Sequence, residues 1–107
     1  MYVYRIGCVT DTGEVHGIGV LYVDAIPTMP GYDSLTLAED YTACLMRGED
    51  VEETTNVTGM IREDYSKFFG LMWFVTNEQG QPLAFLADID KPGSDKPPCG
   101  HGKELLN

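Results

Sequence analysis

The sequence predicts an α+β fold: an antiparallel sheet of four to five strands built from two hairpins, ordered ββα(β)ββ, with one helix packed on a face. Three observations carry that expectation. Two pairs of β-rich runs flank short turn segments, Asp11-Thr12-Gly13 and Asn77-Glu78-Gln79-Gly80-Gln81. One stretch between them has helical periodicity with start and stop signals. A chain of 107 residues with 43% apolar content is long enough for one core and too short for two.

The first hairpin also specifies a register. Asp11-Thr12-Gly13 suits a three-residue loop with Gly13 in the left-handed conformation. If Thr10 then faces Glu14, the cross-strand pairs become Cys8/His16, Ile6/Ile18, Tyr4/Val20 and Tyr2/Tyr22 on one face. The other face carries Val9/Val15, Gly7/Gly17, Arg5/Gly19 and Val3/Leu21, leaving a shallow glycine-lined trough. A loop over Pro27-Thr28-Met29-Pro30-Gly31 follows.

The helix is expected over about 37–47. Thr36 and Glu39 have the form of a capping box, Leu37, Tyr41, Cys44 and Leu45 follow the i, i+4, i+7, i+8 rule, and Gly48 supplies the stop. Residues 49–58 are acidic and then threonine-rich, compatible with a loop or an exposed edge strand. The second hairpin pairs Phe68 to Thr76 with Pro82 to Ile89, and its strands are apolar on both faces, as in a central strand or an oligomer interface. One short helix leaves part of the sheet uncovered, so Tyr2, Tyr4, Ile6, Ile18 and Tyr22 are expected to be partly exposed and to offer a homodimer face.

Residues 1–90 form the expected domain and carry 15 acidic against 4 basic side chains, a net of −11 within a chain at −10. Residues 91–107, rich in Pro and Gly at a net of +1, read as a flexible tail. With no two Lys or Arg adjacent, direct nucleic-acid binding and attraction to an anionic membrane are not expected. No apolar run approaches the ~20 residues of a membrane span. The N-terminal Met1-Tyr2-Val3-Tyr4-Arg5 lacks the pattern of a signal peptide. Three widely spaced cysteines, Cys8, Cys44 and Cys99, do not read as a disulfide framework, so a reducing cytoplasm with free thiols is expected.

Chemistry-bearing groups are few. Cys8 opposite His16 is the one nucleophile-and-base pairing, but no orienting group or oxyanion hole accompanies it in the sequence, and a packed core pair is the simpler expectation. Cys99-Gly100-His101-Gly102 with Asp95 falls short of four zinc ligands. The acid pairs Glu39-Asp40, Glu49-Asp50, Glu52-Glu53 and Glu63-Asp64 are poor chelators, because adjacent side chains diverge. Neither a metal nor any other cofactor is expected.

The charge remains. The expected function is a small acidic protein-binding module, an inhibitor or adaptor that docks on the basic, nucleic-acid-binding surface of another protein. Its footprint would be Glu49, Asp50, Glu52, Glu53, Glu63 and Asp64, with Tyr32, Tyr41, Tyr65 and Phe68 as anchors. Anti-restriction, anti-CRISPR and toxin-immunity proteins are similar in this composition, a likeness that covers no motif. The alternatives are a small enzyme or ligand-binding domain using Cys8, His16 and the glycine trough, and a homodimeric component of a larger assembly.

Overall fold

The computed structural model describes residues 1–24, 33–49, 51, 53 and 56–87. The expected loop at 27–31 and the expected tail at 91–107 lie outside these residues. Five strands, β1 (Tyr2–Val9), β2 (Val15–Val23), β3 (Val57–Ile61), β4 (Met72–Thr76) and β5 (Pro82–Leu86), form one antiparallel sheet in the order β3-β2-β1-β4-β5. One helix, α1 (Ser34–Met46), packs on it. The α+β expectation holds, and the optional third strand is real. It starts at Val57, so it takes up only the last two residues of the 49–58 segment.

The turn of the first hairpin forms as its residues require. Gly13 has φ 84°, Thr10 N donates to Glu14 O at 2.9 Å, and Gly13 N donates to Thr10 O at 2.9 Å. The pairs Val9/Val15, Cys8/His16 and Gly7/Gly17 occur as expected, and then Ile18 is inserted as a bulge. Beyond it the partners are Ile6/Gly19, Arg5/Val20, Tyr4/Leu21, Val3/Tyr22 and Tyr2/Val23, one residue from the expected register. Core burial drives the shift. Ile18, Leu21 and Val23 are all fully buried, and a strict two-residue alternation cannot put positions 18 and 21 on one face.

The helix starts three residues before the expected position. Asp33 is the N-cap, and its Oδ1 accepts from Thr36 N at 2.7 Å, so Thr36 sits at the third helical position instead of capping. The end is as expected: Gly48 at φ 73° follows Arg47, Gly48 N donates to Leu45 O at 3.0 Å, and Glu49 N donates to Cys44 O at 3.1 Å, a complete Schellman motif. Phe68 is not in a strand. It ends a short 3-10 turn, Tyr65–Phe68, and β4 begins only at Met72. That turn passes the end of α1, where Gly70 N donates to Met46 O at 2.8 Å, and Trp73 Nε1 donates to Phe68 O at 2.8 Å. A buried indole thereby keeps its hydrogen bond.

The core lies between α1 and one face of the sheet. Tyr4, Ile6 and Cys8 from β1, Ile18, Leu21 and Val23 from β2, and Trp73 and Val75 from β4 meet Leu37, Ala38, Leu45 and Met46 from α1. The Tyr4 hydroxyl hydrogen-bonds to the buried Ser34 hydroxyl, which ties the central strand to the first turn of the helix. Among the described residues no helix is long and apolar enough to cross a membrane.

Candidate protein-binding surfaces

Of the expected acidic footprint, Asp50 and Glu52 lie outside the described residues, as does Tyr32 among the anchors. The remaining acids are mostly engaged within the chain. Glu49 Oε2 lies 2.9 Å from Arg47 Nη2, and Asp64 Oδ2 lies 3.5 Å from Arg62 Nη2 and 3.7 Å from Lys67 Nζ. Glu53 Oε1 accepts from Gly59 N at 3.3 Å, and Glu63 is exposed. The anchors are turned inward. Tyr41 packs half-buried against the core, and burial, Glu53 and Tyr65 push its phenol up. Tyr65 meets Trp73 edge-on at 6.2 Å and Phe69 at 5.4 Å, and Phe68 stacks on His16 at 4.7 Å. Among the described residues, then, most of these acids pair within the chain and these aromatics pack against it, and they do not form one aromatic-studded patch.

A different acidic group does assemble, at the start of α1. Burial and the neighbouring Asp40 and Asp33 carboxylates push Glu39 up from the usual glutamate range. The helix places positions 33, 39 and 40 at its N-cap and in its first two turns, near enough for the two aspartates to act on Glu39 through space. Glu39-Asp40 was visible as an acid pair, and Asp33 became part of the group only because the helix begins before Thr36.

Cys8 and His16 face each other across the hairpin but do not form a working dyad geometry. The Cys8 thiol is fully buried, and burial pushes its pKa up, the opposite of what an attacking thiolate needs. His16 Nε2 lies 3.3 Å from Glu14 Oε2 while its ring stacks on Phe68. Cys44, buried on α1, is disulfide-bonded, and Cys8 is the free cysteine among the described residues. The expectation of three free thiols is corrected at Cys44. An odd cysteine count at wide spacing gave no signal for it.

The uncovered sheet face is not the one expected. Tyr4, Ile6 and Ile18 lie beneath α1 at 7%, 2% and 0% exposure, and only Tyr22 of the five residues faces the other way, paired with Val3. The bulge and the helix position together decide this. The open face carries Val3, Arg5, Gly7 and Val9 of β1, Val15, Gly17, Val20 and Tyr22 of β2, Met60 of β3, Met72 and Phe74 of β4, and Phe85 of β5. Val15, Met60 and Phe85 are 67%, 68% and 64% exposed. Although the chain holds 17 acidic residues, none lies in a strand among the described residues, and Arg5 is the one charged residue that these strands place on this face, with Arg62 beside it donating from Nη1 to the Gly17 carbonyl oxygen at 3.1 Å.

The molecule is thus a two-layer α+β protein with acids on its helix and turns and an apolar, acid-free sheet face. No known protein family, curated protein or solved structure matches the chain.

Proposed function

We propose that the protein is a small acidic protein-binding module that docks on a basic surface of another protein, acting as an inhibitor or adaptor. The observation that supports this best is the net charge of −10 with Asp33, Glu39 and Asp40 set around the start of one helix, where burial first and then the Asp40 and Asp33 carboxylates push the Glu39 carboxyl up. Such an arrangement costs stability in the free chain and is relieved when a cationic surface approaches. The net charge of −10 steers that encounter, and the aromatic groups pack internally to hold the helix and the 3-10 turn in place.

Capture from a lysate of the host cell at low salt, followed by affinity measurement with the captured basic protein, tests the reading. Affinity is expected to fall as salt rises, and Glu39→Gln combined with Asp40→Asn is expected to weaken binding by about tenfold, mainly through the association rate. Because a bound cation draws Glu39 back down, docking releases protons and tightens as pH rises through the raised Glu39 range. An affinity indifferent to salt would sink the proposal.

A further inference from the structure

The open sheet face contains a row that is complementary to itself. Strand pairing places Phe85, Phe74, Gly7 and Gly17 side by side across β5, β4, β1 and β2, two aromatic residues followed by two glycines. Phe74 already fills the hollow at Gly7, since a Cβ there would come within 2.5 Å of the Phe74 ring. Gly17 has nothing within 4 Å of where its Cβ would stand, so the space above it is open, with Arg62 alongside donating to its carbonyl oxygen at 3.1 Å. Phe85 projects at the other end, 64% exposed.

We infer that this face is covered by a second copy of the chain, stacked sheet on sheet about a two-fold axis parallel to the strands and passing between β1 and β4. That axis reverses the row, so Phe85 of each copy enters the hollow over Gly17 of the other. One row along, Val9 of each copy meets Met72 of the other. Aligned sheets pack about 10 Å apart, close enough for such side chains to interdigitate.

The contact is small. An axis between β1 and β4 overlaps four strands and leaves β3 outside, which at about 4.8 Å spacing makes a contact about 19 Å wide and roughly 20 Å tall, near 400 Å² in plan. That is the size of a weak, reversible association. Charge also selects this face. Two chains at −10 repel each other, and the acid-free sheet is where they meet with least opposition. A partner drawn by the acidic field would find no carboxylate on these strands to receive its cations. The dimer is therefore independent of the acidic docking proposed above, and the two respond to salt in opposite directions.

Sedimentation of the full chain tests this. The wild type is expected to dimerise with a dissociation constant below about 100 µM and to tighten several-fold as salt rises from about 0.05 to about 0.5 M. Phe85→Asp, which buries a charge at the contact, is expected to weaken the dimer at least about 100-fold, and Gly17→Ala, whose added Cβ meets nothing within 4 Å in its own copy, to weaken it about tenfold, each with unchanged circular dichroism. Glu63→Lys, off the face, leaves the dimer intact. A wild-type chain that stays monomeric at about 100 µM, its face covered by residues 88–107 or by another protein, overturns the inference, as does an undiminished dimer in either folded variant.

Discussion

At the residue scale, the glycines have distinct jobs that their side-chain-free backbones conceal. Gly19 follows the inserted Ile18, and a Cβ there would lie against the Met60 carbonyl oxygen and within 3.1 Å of the Ile61 Cα. Both obstacles are backbone of the neighbouring strand, so neither can swing aside. Gly19→Ala is expected to cost about 1–3 kcal/mol in chemical denaturation through overpacking, with Gly17→Ala within about 0.5 kcal/mol of wild type in dilute solution. Equal effects at the two positions would show that the bulge does not crowd β2 against β3. The hairpin sequence made Gly7, Gly17 and Gly19 look like one trough. The inserted residue separates them, placing Gly19 among the core contacts and leaving Gly7 and Gly17 on the open face.

At the element scale, α1 is held by its ends as much as by its apolar stripe. Asp33 accepts from the Thr36 amide, and that hydrogen bond holds its carboxyl below the usual aspartate range. A lowered pKa means that the cap's contribution is present above the unfolded carboxyl pKa and is lost as pH falls through the folded one. Asp33→Ala is therefore expected to lower the melting temperature at neutral pH, and Asp33→Asn to keep most of the stability while flattening its acid dependence. The measurement is thermal unfolding across pH 2–7, and an alanine variant that melts like the wild type at neutral pH would remove the cap from the account. Glu39 has the opposite sign. Its raised carboxyl means that stability is lost as pH rises from the ordinary glutamate range through the folded value, a charge kept on the helix against its own folding. The Gly48 stop was legible because a left-handed C′ glycine is a local requirement, whereas the start was misplaced because Thr36/Glu39 and Asp33 offer competing caps over three residues.

At the scale of the whole molecule, the two layers leave the protein with surfaces of unlike character, and the thiols with unlike fates. Cys8 is sealed beneath α1, while Cys44 is disulfide-bonded. Alkylation of the unfolded, unreduced chain followed by peptide mapping is expected to label Cys8 and not Cys44, and reduction to lower stability by roughly 2–4 kcal/mol. A Cys44 that labels before reduction would contradict the cross-link. Among the described residues the acids stand outside the strands, so the charge and the apolar sheet face coexist without compromising each other.

Composition, alternation and turn chemistry carry the α+β class, the single helix, the Gly13 turn and the Gly48 stop in the chain itself, because each depends on residues within a few positions of one another. Which sheet face α1 covers, the inserted Ile18 and the inward turn of Tyr65 and Phe68 depend on contacts between distant segments. A single extra residue in β2 shifts the partners of Tyr2 to Ile6 and separates Tyr22 from Tyr4 onto the opposite face. Alternation along one strand cannot reveal such an insertion, since its benefit, burial of Ile18 together with Leu21 and Val23, appears only once the helix is in place.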